Sequence, residues 1–503
     1  MATSLFRPAR EDYRLVGLYL ARVLTVVGLV MVVPALLGFA LGEPDPAWQF
    51  VFGAALTLTV GQVGEWRLKG RGELSHSHGM VIAGFAWLVA PLFGAVPLFL
   101  SGHFASFLDA YFDAMSGFAT AGLTVINDLD HLPDTVNLWR HMMQFVGGQG
   151  LVLVVLVLFA PGGGATTMYV GEAREERILP SVLSTARFIG RVSVRWLAIA
   201  GPVLVAVLLA AGLRPWDAIF HGATLFMAAF STGGFAPTTA SVGFYHSAWV
   251  EAVLAVVMVG GATSFGVHYL LWQRRRRAVA EHLEVRTFVV LLVGFTAIAL
   301  IGLWRTGAYA DVTSLLRRGG FYLLSAQTTT GFATVPSRTL VADWGTLAPA
   351  MVVTAMMIGA MSGSTGGGIK TIRVGLALKG LRREMRRVFQ PSHALTVESY
   401  RAGRTQPLRP QVLEPALMVL LGFLILYAFG GLVGMFYGYP FDQAFFESTS
   451  SGATVGLSVG LTGPSLPVGL KLTYILQMWM GRLELVAAFA VFGFGYTSLR
   501  GRP

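Results

Sequence analysis

Ten runs of apolar, nearly charge-free residues divide the chain, at 15–41, 46–64, 80–100, 141–159, 196–213, 252–272, 287–303, 347–363, 416–437 and 468–498. A bilayer core of roughly 30 Å needs about 20 such residues per helix, so each run predicts a membrane span. The last is interrupted by Arg482 and Glu484. Four shorter apolar stretches, near 104–118, 217–230, 314–328 and 442–452, lie between consecutive spans and end in Gly and Thr. They are too short to cross and read as re-entrant helices. The amino terminus carries Arg7, Arg10, Glu11 and Asp12 and no small-residue cleavage signal, which predicts a retained first span.

Composition supports the pattern. The chain is 54% hydrophobic and 13% charged, against roughly 25% charged in soluble domains, with a mean hydropathy of +0.64. A net charge of +11 would suggest nucleic acid were the cations not confined to the gaps between apolar runs. With the amino terminus inside, 28 Lys and Arg residues fall in cytoplasmic segments and seven outside, which puts both termini in the cytoplasm. The two faces then carry +16 and −6 once their 12 and 13 acidic residues are included. Zero cysteines remove disulfide and thiolate chemistry.

The four short stretches read SGFATAGLT (116–124), AAFSTGGFA (228–236), SAQTTTGFA (325–333) and SSGATVGLS (450–458). Each carries Thr-x-Gly in register: Thr120, Ala121, Gly122; Thr232, Gly233, Gly234; Thr329, Thr330, Gly331; Thr454, Val455, Gly456. The glycines lie 112, 97 and 125 residues apart, a repeat whose unit is span, re-entrant helix, Thr-x-Gly, span. This predicts an all-α polytopic membrane protein. A two-helix segment (1–73) precedes pore repeats at 74–170, 171–272, 273–380 and 381–503, arranged with pseudo-fourfold symmetry. Non-helical backbone at membrane depth survives only where it is buried in protein or lines a wet cavity. Glycine lets successive carbonyls turn inward, and a ring of carbonyls replaces the hydration shell of a monovalent cation. The twelve residues are the candidate cation filter.

These loops, the two extra amino-terminal spans, and the stretches WRHMMQFVGGQGLVLVVL (139–156), MIGAMSGSTGGGIKTIR (357–373) and GRLELVAAF (481–489) resemble the TrkH family. That family supplies the membrane subunit of the Trk potassium-uptake system, within the Trk/Ktr/HKT superfamily. The resemblance covers nearly the whole chain. It implies one pseudo-fourfold pore per subunit, a homodimer with two separate pores, a bacterial inner-membrane location and a cytosolic ring of nucleotide-binding TrkA-like subunits that gates conduction. Any nucleotide is expected on that partner; this chain is expected to bind only permeating potassium. In the family, glycine in all four loops goes with potassium permeation, and serine in the first loop with sodium preference in some plant members. Gly122 stands at that place.

Residues 361–368, MSGSTGGG, carry three successive glycines, each costing a helix roughly 1 kcal/mol relative to Ala. A helix break there is predicted, and the resemblance implies an intramembrane loop obstructing the pore. Gly366, Gly367 and Gly368 are the candidate gate, with Lys370 at its cytoplasmic end; a glycine-rich helix contact is the alternative. GSTGGGIKT is not a phosphate loop, because Ile369 separates Gly368 from Lys370. An intramembrane cation is a functional candidate by default, and Glu484 is too near in sequence to share the helical face of Arg482. Its partner must come from another repeat or from pore water. The resemblance implies that Arg482 projects into the pore below the filter as an electrostatic barrier; a structural ion pair is the other reading.

His76 and His78 read as interfacial rather than as metal ligands. Arg274 to Arg277 read as a topology anchor in contact with membrane lipid. The basic segment from Lys370 to Arg409 either docks a cytosolic partner or anchors a surface helix, and glycines 162 to 164 read as a turn. A membrane enzyme would need a nucleophile–base or metal constellation, and no HExxH, cysteine or convergent carboxylate pair is present. Alternating-access carriers use inverted repeats, whereas these four are parallel. A gated potassium pore is the leading reading, with a sodium- or proton-coupled symporter or a weakly selective cation transporter as alternatives.

Overall fold

Backbone amides in a bilayer must be satisfied within the protein, and the chain answers with helices. The computed structural model describes residues 8–70, 74–150, 182–390 and 398–499. Glycines 162 to 164 and the second half of the fourth predicted span lie outside them. The first two helices, α1 (Arg10–Leu41) and α2 (Pro44–Leu68), form an antiparallel hairpin turned at Gly42, whose φ of 75° only glycine adopts without strain. Trp48 and Trp66 are exposed near the two ends of α2. At 1.5 Å per residue they stand about 27 Å apart, close to a bilayer core, as interfacial tryptophans should. His78 at the start of α3 (His76–Leu100) bonds Asp12 of α1 at 2.9 Å. It is therefore a buried tie between helices, where the sequence suggested the interface.

Each repeat follows α3 in pattern. Repeat 1 is α3, the short helix α4 (Phe107–Phe118) and α5 (Asp134–Gln149). Repeat 2 is α6 (Val182–Ala210), the short α7 (Pro215–Phe230), α8 (Ala248–Ala262) and α9 (Phe265–Trp272). Repeat 3 has α10 (Leu283–Thr306), a π turn at Leu315–Gly319 leading into the short α11 (Gly320–Gln327), then α12 (Leu347–Met357) and α13 (Thr371–Val388). Repeat 4 follows a hairpin of β1 (Ser399–Ala402) and β2 (Arg404–Pro407) with α14 (Pro410–Phe436), the short α15 (Phe441–Gly452), α16 (Val468–Arg482) and α17 (Val486–Leu499).

Among the described residues, α1, α3, α6, α10 and α14 contain helices long and apolar enough to cross a bilayer. The non-helical segment between α12 and α13 contains the 361–368 stretch where the glycines predict a break. The α16–α17 pair bends by 114° at the interruption by Arg482 and Glu484, whereas the α8–α9 pair bends by 102° where a single rod was expected. Composition cannot report the α8–α9 break, because both arms remain apolar.

Ties across repeat boundaries close the ring. Asn137 Nδ2 donates to the Pro237 carbonyl at 3.0 Å, joining repeats 1 and 2. Arg317 grips Glu251 through two bonds of 2.7 Å, joining 2 and 3. Tyr427 Oη donates to the Met357 carbonyl at 3.4 Å between 3 and 4. Buried Lys471 pairs with Asp109 at 2.5 Å, and Trp479 Nε1 donates to Gly84 at 2.9 Å, returning repeat 4 to repeat 1.

Candidate cation pathway

The short helices α4, α7, α11 and α15 all end in the same hydrogen-bonded turn. After α4, Thr120 N donates to Gly117 and Ala121 N reaches back five residues to Ser116 at 2.8 Å. The same five-residue bond runs from Gly233 to Ala228, from Thr330 to Ser325 and from Val455 to Ser450, at 2.8 to 2.9 Å. This is the Schellman geometry, whose left-handed residue is usually glycine. Here it is threonine: Thr120, Thr232, Thr329 and Thr454 have φ of 53°, 51°, 55° and 52°. A β-branched residue in that region is an outlier costing on the order of 1–3 kcal/mol. Two residues on, Gly122, Gly234, Gly331 and Gly456 are again left-handed, at 72° to 100°. The sequence named both threonines and glycines as filter candidates but gave the special backbone angles to the glycines, because nothing in residue type favours threonine in that region.

The four loops touch in cyclic order. A Cβ on Gly122 would meet the Gly233 carbonyl oxygen at 2.5 Å, and one on Gly456 would meet the Ala121 carbonyl oxygen at 2.7 Å. On Gly234 and Gly331 it would overlap the carbonyl oxygens of Thr330 and Val455 outright. Each glycine thus lies against the middle carbonyl of the next repeat, and all twelve Thr-x-Gly residues come together. Glutamines fix this collar from behind. Gln144 Nε2 donates to the Gly233 carbonyl at 2.5 Å while its Oε1 accepts from Phe235 N at 3.2 Å. Gln477 Nε2 donates to Leu426 O and Ser448 Oγ at 2.7 and 2.9 Å.

Directly against the threonines lies the segment between α12 and α13. Gly367 N donates to Thr329 Oγ1 at 2.8 Å, and the Thr365 and Thr232 hydroxyls bond at 3.2 Å. A Cβ on Gly367 would overlap Thr454 Oγ1, and one on Gly366 would meet Thr329 Oγ1 at 2.8 Å. The fourth threonine, Thr120, accepts from Arg482 Nη1 at 3.2 Å. The same guanidinium donates to Thr365 O at 2.6 Å and to Gly147 O at 2.7 Å, linking repeats 1, 3 and 4. Every collar threonine therefore contacts this loop or Arg482, and all four are fully buried.

Lys370 sits at the end of the loop, immediately before α13. It is 5% exposed, its Nζ donates to the Gly366 carbonyl, and it lies 3.9 Å from Glu484. Gly368 takes a φ of 68° beside Gly359. Glu484 also pairs with Arg373. The two acidic and basic neighbours in GRLEL thus face different partners, as their spacing required.

Two carboxylates that the sequence reading left out hold the far side of the collar. Asp113, seven residues before Thr120, takes Arg140 Nε at 2.8 Å and the Thr124 hydroxyl at 2.6 Å with no exposure. The Arg140 guanidinium stacks 4.0 Å from the Phe235 ring centre of the next loop. Glu447, seven residues before Thr454, accepts from Ser458, Val459, Leu461 and Thr462 at 2.5 to 3.3 Å. Their shared register within the repeat was the available signal.

Among the described residues no cluster of His, Asp and Glu could hold a metal ion. The described residues bring carbonyl and hydroxyl oxygens of all four repeats together, with the segment between α12 and α13 packed against the threonines.

Comparisons with known proteins agree with this geometry. Residues 47–493 match the TrkH family, described as a cation transport protein. The chain is 31% identical over 508 residues to the Trk system potassium uptake protein TrkH of Halomonas elongata, covering 96% of this chain and 98% of that protein. It is 30% identical over 489 residues to an uncharacterized cation transporter of Methanocaldococcus jannaschii, covering 97% and 96%. The crystal structure of the potassium transporter TrkH from Vibrio parahaemolyticus superposes with a TM-score of 0.79 at 25% identity, over 95% of this chain and 98% of that one. The chain is a multi-pass membrane protein and belongs to the TrkH family of cation transport proteins.

Proposed function

We propose that the protein takes up potassium through a channel-like pore. Its filter is the ring of Thr120, Ala121, Gly122, Thr232, Gly233, Gly234, Thr329, Thr330, Gly331, Thr454, Val455 and Gly456. The observation that carries this reading is the cyclic contact of each filter glycine with the next loop's carbonyl. Such a ring offers oxygens from all four sides, as replacement of a hydration shell requires. The gate is the loop bearing Gly366, Gly367 and Gly368 together with Lys370 and Arg482. Its contacts with all four threonines support an obstructed pathway that opens when the loop and Arg482 withdraw.

The gate's driver is a cytosolic, nucleotide-binding TrkA-like subunit, and the chain works as a homodimer in the bacterial inner membrane with both termini inside. The surface of α13 supports a docked partner. Leu378, Leu381, Met385 and Val388 are exposed at helical spacing, beside Arg382 and Arg386. Flux in liposomes holding only this purified chain, compared for potassium, rubidium and sodium at fixed voltage, tests the reading. Potassium flux above sodium flux without a required co-ion supports it. Strict dependence on sodium or protons would replace it with a symporter, and equal sodium and potassium flux with an unselective cation path. If the chain alone is silent, the cytosolic ring is added; silence with the ring present refutes the pore.

A further inference from the structure

Three segments far apart in sequence meet around a cavity of about 360 Å³ on the face that the charge distribution places in the cytoplasm. Its walls carry Arg286 from α10, Lys379 from α13 and Arg401 from β1, with Glu281 the single carboxylate among the lining residues. Ser399 and Thr405 line it as well. Each cation is held by a bond that aims it. Arg286 Nε donates to the Ala280 carbonyl at 2.7 Å, Lys379 Nζ to the Ser399 carbonyl at 2.8 Å, and Arg401 Nε to Thr405 Oγ1 at 3.1 Å. Lys379 also pairs with Glu398 at 3.1 Å, and Arg401 with Glu281. Those pairs leave the cavity with more positive than negative groups on its wall.

Convergent guanidinium and ammonium groups with flanking hydroxyls match the needs of a phosphate, whose oxygens accept from several directions at once. The volume lies within the range of small-molecule pockets, roughly 300–1,000 Å³. The depth fits as well. Leu283, the first residue of α10, lines the cavity, and the exposed Trp272 and Arg274–Arg277 precede it, so the cavity opens at headgroup level. Basic pockets at this level between membrane helices hold lipid phosphates.

We propose that this cavity is a binding site for a phosphate-bearing anion, either an anionic phospholipid headgroup or a free polyphosphate. Its position gives it influence on the proposed gate. Glu284, two residues before Arg286, accepts from Ser362 N at 2.5 Å, inside the loop between α12 and α13, and from the Thr371 hydroxyl at 3.5 Å, just after it. An anion drawing Arg286, Lys379 and Arg401 together would brace α10, α13 and the hairpin at the base of that loop. Any effect on flux rests on the gate reading; occupancy of the cavity does not.

Binding is therefore measured directly, on the full chain in nanodiscs. One arm titrates inorganic pyrophosphate in dioleoylphosphatidylcholine discs and reads thermal stabilisation. The other compares retention of dioleoylphosphatidylglycerol by native mass spectrometry. Arg286→Gln is the informative variant, because its one bond in the described structure is to a neighbouring carbonyl; Arg401→Gln is the second should the first fail to fold. A charge-assisted hydrogen bond is worth roughly 1.5–3 kcal/mol, so Arg286→Gln weakens binding about tenfold or more. Arg387→Gln, an exposed cation two turns along α13 from Lys379 and outside the cavity lining, leaves it unchanged. Pyrophosphate binding alone identifies a free anion and phosphatidylglycerol retention alone a lipid. No binding in either arm, or equal weakening by Arg387→Gln, overturns the proposal.

Discussion

Serine in place of each filter glycine is the sharpest test of the ring. Two costs apply. All four glycines are left-handed, between 72° and 100°, which penalises any L side chain by roughly 1–2 kcal/mol. The second cost differs between sites. At Gly122 and Gly456 the new Cβ meets a carbonyl oxygen at 2.5 and 2.7 Å, against 3.4 Å for ordinary contact, so the neighbouring loop must yield by about 0.7–0.9 Å. At Gly234 and Gly331 the Cβ overlaps the oxygen, and the displacement is larger. Overpacking of this kind costs about 1–3 kcal/mol, and the atoms displaced are the proposed ligands. With 1.4 kcal/mol per tenfold, the potassium-to-sodium flux ratio should fall about tenfold or more at Gly122 and Gly456, and further at Gly234 and Gly331. Paired-ion flux in liposomes measures the ratio, with the melting temperature of each variant reporting that it is folded. Folded variants that all keep the native ratio, or a reversed rank in which Gly456→Ser is the worst, would refute the ring argument.

Arg482→Gln removes a charge whose bonds to Thr120, Thr365 and Gly147 reach repeats 1 and 3 from repeat 4 at 2.6 to 3.2 Å; basal potassium flux should rise about tenfold or more, given roughly 1.5–3 kcal/mol per charged hydrogen bond. Gly367→Ala places a Cβ on Thr454 Oγ1 and the Ala453 carbonyl, so the loop cannot keep its seat, and flux should rise while stability falls by about 1–3 kcal/mol, read by flux and thermal melting. Asp113→Asn strips the counter-charge from Arg140 at zero exposure and should destabilise the folded protein by about 3–5 kcal/mol, seen as a lowered melting temperature. Reporter domains fused to either end should be active only in the form that folds in the cytoplasm; an active periplasmic reporter would invert the topology.

The sequence made the repeat legible because its punctuation is local. Thr-x-Gly after a short apolar stretch recurs four times, and each short helix forms where that pattern places it. What it hid falls into two physical kinds. The break inside the second span of repeat 2 left no mark, because Ala252 to Trp272 stays apolar on both sides of a turn that only Thr263 and Ser264 hint at. Partners of the buried charges were hidden because many are backbone atoms. Arg482 meets the carbonyls of Gly147 and Thr365, and Lys370 meets that of Gly366. Residue type carries no information about a carbonyl. The negative inference, that Arg482 and Glu484 could not serve each other, needed only helical geometry and agrees with the ion pairs seen.

The collar is fourfold, whereas the proposed gate is not: one loop of repeat 3 and one arginine of repeat 4 contact all four threonines. Electrostatics favours that economy. Two like charges 8 Å apart at an effective dielectric of 20 repel by about 2 kcal/mol, so a cation from every repeat would destabilise the closed state it was meant to hold. A single guanidinium suffices where ions pass in file. Its contacts also suit a barrier that must move. The bonds of Arg482 to Thr120, Thr365 and Gly147 are to neutral oxygens, and Gly147 lies in the last turn of α5, where the helix dipole is negative. Glu484, two residues away, turns instead to Lys370 and Arg373. Neutral oxygens, once released, can bond to water or to a passing cation. In the proposed gate, Arg-Leu-Glu thus sets over three residues a cation that meets backbone and hydroxyl oxygens and a carboxylate that ties to the base of the loop.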